Sequence, residues 1–267
     1  TEVAALPGSR YQLWGCDHRD ERACPLEQRK LVTSWALARN PSLAQLNSSL
    51  RLYSSERVDA MLYSDIFCTS CPTQRTYVEL GANDGLSNTD TKLLEDDLGF
   101  GGMLIEGLPA NHASLNFTRG RSGRNRIITQ AVCNRSYVNY YGQRSKSTAG
   151  IMESMSQKYL HSWQSRLTGT RTKVSCRRLG DMLRGEGIKA VDLFSLDVDG
   201  AELDVLRTMD WTVPVRVWII ENDEWNNPKN DQMRRLLARH GYATPLRDGV
   251  GFNNSLHNLY FFHRDLL

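Results

Sequence analysis

Carboxylates gather where an apolar run ends. Residues 191–198, VDLFSLDV, read as a buried strand, and Asp197, Asp199 and Glu202 follow one another at its carboxyl end. Acids crowded together there are unfavourable unless protons, hydrogen bonds or a cation compensate them. Asp199 and Glu202 also have the spacing of a capping box, which stabilises a helix start without further chemistry. Asp197 has no such alternative, because it falls within the apolar pattern and projects from the sheet edge. A second acidic end, Glu221-Asn222, closes the apolar run from Val215 to Ile220, and His257 precedes the last apolar run. Two chemistries are open. Asp197, Asp199 or His257 can act as base toward a weakly acidic hydroxyl. Alternatively, Asp197, Glu221 and Asn222 supply hard oxygen ligands suited to Mg²⁺, Mn²⁺ or Ca²⁺, a cation that would itself acidify the hydroxyl.

A reacting group needs a partner held beside it, and a glycine turn upstream supplies the place. In TYVELGANDG, residues 76–85, an apolar strand meets Glu79 and then Gly81, Ala82, Asn83, Asp84 and Gly85, with Asn88 just beyond. The dinucleotide fingerprint requires three glycines set to bring amides against a pyrophosphate, and the third is missing here, which is adverse to a nicotinamide oxidoreductase. A phosphate-poor cation such as S-adenosylmethionine fits better, its ammonium and sulfonium facing carboxylates. Twenty-seven positions after Glu79, the strand of FGGMLIEG ends in Glu106. That separation places Glu106 at the tip of the neighbouring parallel strand, where an acid accepts hydrogen bonds from ribose hydroxyls, or alternatively caps the helix starting near Pro109.

The elements that must position these residues alternate from Thr76 onward. Strands are expected near 76–80, 101–106, 126–132, 191–197, 215–221, 242–246 and 257–263, with helices between, one of them from Leu86 to about Leu98. The fold class is α/β: a Rossmann-like sheet over residues 75–267, its last strand antiparallel, preceded by a helical extension over residues 1–74. Within that extension, Leu26–Ala38 and Ser54–Ile66 look helical. Between 134 and 178 the pattern breaks into a hairpin (Tyr137–Gln143) and a polar stretch, an insertion where acceptor specificity would reside.

Composition excludes several classes. Lys and Arg exceed Asp and Glu only by 33 to 30, so the chain lacks the basic excess of a nucleic-acid binder. The arginines cluster nonetheless, at Arg119, Arg121, Arg124 and Arg126 and again from Arg171 to Arg178, as a solvated surface or as contacts for an anionic sugar. No apolar run approaches the roughly 18 residues of a membrane span. The chain begins at Thr1 without a signal-like region, as a processed chain would. Six cysteines form an even set. Proximity favours Cys16 with Cys24 and Cys68 with Cys71, which leaves Cys133 with Cys176. Sequons stand at Asn47, Asn116, Asn134 and Asn253. Disulfides and sequons together point to a secretory-pathway lumen such as the Golgi, or to secretion.

Taken in order, GANDG, the strand-end Glu106, the Ala131-Val132 pair and SLDVDGAELDVL resemble the FkbM-type methyltransferases. The likeness covers Thr76 to His263, and the string from Asp197 to Glu202 is its most specific part. Family members commonly carry Glu where Asp199 stands and Pro where Gly107 stands. The resemblance implies a Rossmann-like fold, S-adenosylmethionine held by the glycine turn, Glu106, Ala131 and Val132, and O-methylation of a sugar or glycan hydroxyl. A secreted interaction domain that retains the fold without turnover is the rival reading.

Overall fold

The computed structural model describes residues 51–54, 57–67, 75–141, 149–163, 171–222, 226–244, 246–247, 250–251 and 257–264. Helices expected before residue 51, and Cys16, Cys24, Cys68 and Cys71, lie outside them.

Seven strands form one sheet in the order β3-β2-β1-β7-β8-β12-β9. These are β1 (Thr76–Leu80), β2 (Gly101–Ile105), β3 (Asn125–Ile128), β7 (Val191–Leu196), β8 (Val215–Glu221), β9 (Tyr242–Ala243) and β12 (Asn258–His263). The first five neighbours run parallel, while β12 is antiparallel to both β8 and β9. The α/β, Rossmann-like class is therefore the observed one. Near-continuous apolar sequence in β7 and β8 reflects burial on both faces. On one face Phe194 stacks on Trp218 with centroids 4.4 Å apart; on the other, Leu193, Val217 and Ile219 pack with Tyr77, Leu94 and Leu115. The turn of helix from Val58 to Ile66 belongs to that second layer through Val58 and Leu62.

Four expectations are corrected. The helix drawn from Leu86 begins only at Lys92, because side chains capture the backbone before it. Asp84 Oδ1 accepts from the amides of Leu86 and Ser87 at 2.9 and 2.7 Å, and Asn83 and Asn88 take left-handed φ of 49° and 59°. The strand drawn over 126–132 divides: β3 ends at Ile128, and β4 (Ala131–Val132) pairs with Cys176 and Arg177 in a second, three-stranded sheet. The local hairpin at 137 is instead β5 (Tyr137–Tyr141), antiparallel to the distant β6 (Arg171–Arg177). The strand expected over 242–246 stops at Ala243, and β10 (Leu246–Arg247) turns to pair with β11 (Val250–Gly251). The Cys133–Cys176 disulfide is present, with Cα atoms 5.4 Å apart, and it fastens β4 to β6.

Arg119 is the largest surprise. Expected on a solvated surface, it is fully buried. Its Nε donates to Glu95 at 2.6 Å, its Nη2 to Tyr77 Oη at 2.7 Å and Thr91 Oγ1 at 3.0 Å, and its Nη1 to the Gly85 carbonyl at 3.2 Å. Helix Pro109–Arg119 thus clamps the back of the glycine turn.

Candidate active site

A recess of ≈ 690 Å³, counting the open space at its mouth, lies at the carboxyl ends of β1, β2 and β7. In open α/β sheets this is where ligands bind. Its walls include Gly81, Asn83 and Asn88 from the first turn, Glu106 after β2, Ala131 and Val132 of β4, and Asp197 and Asp199 after β7. Eight of the residues proposed from sequence are thereby brought together. Gly81 makes the closure feasible: its φ is 91°, and a Cβ there would stand 1.8 Å from the Asp197 carbonyl oxygen. Only glycine lets the turn after β1 lie against the end of β7.

Glu106 is buried with both oxygens engaged. Oε2 accepts from the Asn83 amide at 2.7 Å and Oε1 from the Leu108 amide at 2.6 Å. Burial nevertheless outweighs these donors and pushes its carboxyl up to about 7. The helix-capping alternative for Glu106 is half realised through the Leu108 amide, and the Asn83 contact ties it equally to the glycine turn. Asn83 Oδ1 is itself buried without a hydrogen-bond partner, a polar atom on the recess wall that a ligand donor would satisfy.

Behind the opposite wall lies an acid cluster. Enclosure of the carboxyl, followed by the charges of Asp199 and Glu202, raises Asp197 to about 7, although the residue as a whole is exposed at the recess. Glu221 lies beside Asp197 and Glu202 with its Oε2 buried and without a hydrogen-bond partner, and burial and its acidic neighbours raise it well above the carboxylate range. Glu202 behaves oppositely. Burial alone would raise it, but the Lys229 ammonium, 2.6 Å from Oε2, holds it below the usual range. The capping-box alternative is corrected: the N-cap is Ala201, Asp199 takes a left-handed φ of 51°, and Glu202 Oε1 reaches back to the amides of Val198 and Gly200 at 3.2 and 3.0 Å. Lys229 was missed in the sequence. A lysine in the first turn of helix Asn227–Arg239 opposes the helix dipole, and that anomaly is the signal that could have found it.

Several proposed residues lie elsewhere. Glu79 is buried away from the recess, accepting from Thr89 and Thr91 hydroxyls at 2.8 and 2.5 Å and standing 3.8 Å from Arg119. Asp84, Gly85 and Ala82 shape the turn without lining the recess. Asn222, drawn as a metal ligand with Asp197 and Glu221, accepts from Asn230 Nδ2 at 2.9 Å through Oδ1, and its amide donates to the His257 carbonyl at 2.8 Å. His257 is exposed ahead of β12 and does not line the recess. Among the described residues, no group of three or more His, Cys, Asp or Glu side chains is arranged to hold a metal ion. The positive charge beside the acids is Lys229.

Tyr140 is the chief addition. Its ring is buried, lines the recess and stands close enough to Gly107 that a Cβ there would meet the phenol oxygen at 2.3 Å. A proline at 107 would have no room for its ring, which explains the departure noted above. Burial, then the charges of Glu106 and Asp199, raises the phenol, so it keeps its proton at neutral pH. Parity with buried Val138 on β5 was the available signal.

With this geometry in view, the sequence matches the family model described as the methyltransferase FkbM domain over residues 79–244. The chain belongs to that family. FkbM-type enzymes are methyltransferases dependent on S-adenosylmethionine, and the recess offers that donor an unpartnered amide oxygen on Asn83, the Glu106 carboxyl and the acids Asp197 and Asp199. Among solved structures, the FkbM methyltransferase of Methylobacillus flagellatus KT is 14% identical, with 88% of this chain and 62% of that chain covered and a TM-score of 0.42. A fibrillarin pre-rRNA processing protein of Methanococcus jannaschii is 12% identical over 79% of this chain and 75% of that one, with a TM-score of 0.44. No curated protein matches the sequence.

Glu106→Ala tests the ribose side. The loss of charge-assisted hydrogen bonds should weaken S-adenosylmethionine binding by roughly 1.5–3 kcal/mol, measured by calorimetry. An unchanged dissociation constant would remove Glu106 from the donor site.

Proposed function

We propose that the protein methylates a hydroxyl of a sugar or glycan, with Asp197 as the base. The observation that carries this is the placing of Asp197 beside Asp199 on the recess wall at the end of β7, and a pKa raised to about 7 suits that carboxyl to general-base work. Bound S-adenosylmethionine supplies an electrophilic methyl group. Glu106 and Asn83 orient the ribose side, and Asp197 and Asp199 face the cationic end. The acceptor O–H gives its proton to Asp197, while Glu221, Glu202 and Lys229 fix that carboxyl from behind. The Lys229–Glu202 pair favours a step without a divalent cation, so activity should survive excess EDTA. The Cys133–Cys176 bridge and the sequons support a lumenal or secreted setting.

The test is transfer from labelled donor to a panel of mono- and oligosaccharides across pH. The base must be unprotonated, so kcat/KM should rise with pH through about 7 and level off above it. A flat profile between roughly pH 5.5 and 8.5 would refute Asp197 as the base. Transfer confined to nitrogen acceptors would refute the hydroxyl assignment.

A further inference from the structure

Charge is divided along this chain. Residues 107–180 carry thirteen Lys and Arg and one carboxylate, Glu153, whereas the remainder carries twenty basic and twenty-nine acidic residues. The near-neutral total conceals a strongly basic segment on an acidic body. That segment includes the three-stranded sheet, whose inner side sends Tyr140 into the recess. On its outer side the cross-strand pairs are Tyr137 with Ser175, Asn139 with Lys173 and Tyr141 with Arg171. Tyr137, Arg171, Lys173 and Ser175 are exposed, and Lys173 Nζ lies 3.8 Å from the centroid of the Tyr137 ring. No acid stands on these two strands.

We propose that this outer face docks an acidic polysaccharide, a chain bearing sulfates or uronates, and so holds the enzyme on its acceptor. The inference rests on the glycan reading above. Guanidinium and ammonium groups pair with sulfate or carboxylate, the exposed Tyr137 ring offers apolar surface to a sugar, and Asn139 and Ser175 bond hydroxyls. A single-sign surface of this kind also concentrates a polyanion near the recess. Among the described residues the face has one exposed aromatic rather than a series for stacking successive bases, and no apolar wedge for insertion into a lipid surface. Asp197, Asp199 and Glu106 repel anions from the recess itself, so the acidic groups of the acceptor must lie away from the reacting hydroxyl.

The experiment measures binding of dextran sulfate, polygalacturonate and neutral dextran to the full chain, and to the Arg171→Ser/Lys173→Ser double variant. Both acidic polymers should bind, with affinity falling as salt rises, and the double variant should bind them roughly tenfold or more weakly while its S-adenosylmethionine affinity is unchanged. Equal binding of neutral dextran, or acidic-polymer binding untouched by the double substitution, would overturn the proposal. So would preferential binding of a single-stranded oligonucleotide or of phosphatidylserine vesicles at the same ionic strength. Methylation of neutral and acidic glycans with equal kcat/KM would overturn this docking role and leave the proposed function standing. Binding of both acidic polymers that is lost with Arg171 and Lys173, without methylation of any glycan, would support the docking face while defeating the proposed function.

Discussion

Asp197→Asn abolishes methyl transfer and leaves the fold intact. The substituted amide has nearly the same shape and volume, so the packing around it is retained, but it cannot take a proton from the acceptor. Loss of a positioned base lowers turnover by roughly 10²–10⁴-fold. The measurement is single-turnover transfer from labelled donor, alongside thermal unfolding. Because Asn carries no charge, donor affinity also drops, though by less than turnover does. A fully active Asp197→Asn enzyme would refute the catalytic assignment; an unfolded one would make the acid cluster structural first, and Asp197→Glu, which keeps a proton acceptor, would then be expected to retain partial activity.

Arg119→Met has the largest expected effect on stability. The guanidinium connects β1 through Tyr77, helix Lys92–Leu98 through Glu95, and the glycine turn through the Gly85 carbonyl. Its removal leaves Glu95 and Glu79 buried beside an apolar side chain. Breaking a buried ion pair from one side costs about 3–5 kcal/mol, a large share of the roughly 5–15 kcal/mol that holds a domain together. Urea titration should show the midpoint falling accordingly, with donor binding weakened in whatever fraction remains folded. A loss below about 1 kcal/mol would mean that the network is solvated rather than dry.

The sheet was legible because parallel strands buried on both faces are continuous apolar runs, as in Val191–Leu196 and Val215–Ile220, and because an acid at the end of each marks the carboxyl edge. Gly81, Asn83, Glu106 and Asp197 were found on those grounds. What escaped depends on side chains that meet across long sequence distances. The loop from Leu86 to Thr91, rich in Ser, Asn, Thr and Asp, has the composition of a turn rather than of a helix interior, and capture by Asp84 and Glu79 holds it irregular. Arg119 looks identical in sequence to exposed Arg121, yet burial separates them, since one faces Glu95 and the other stacks on exposed Phe117. The metal set at Asp197, Glu221 and Asn222 was inferred because the acids required a cation. Lys229, twenty-seven residues beyond Glu202, compensates Glu202, whereas burial and mutual repulsion hold Asp197 and Glu221 toward their protonated forms.

The most direct test of the account is calorimetric titration of the protein with S-adenosylmethionine at pH 8 and pH 6. Asp197 and Glu106 both lie near 7, so acidification neutralises the carboxylates that face the donor's cationic and ribose ends. One site per chain is expected at pH 8, with affinity falling between pH 8 and pH 6 and a Glu106→Ala variant that binds weakly at both. Absence of binding at pH 8, or an affinity indifferent to both pH and Glu106, would contradict the account.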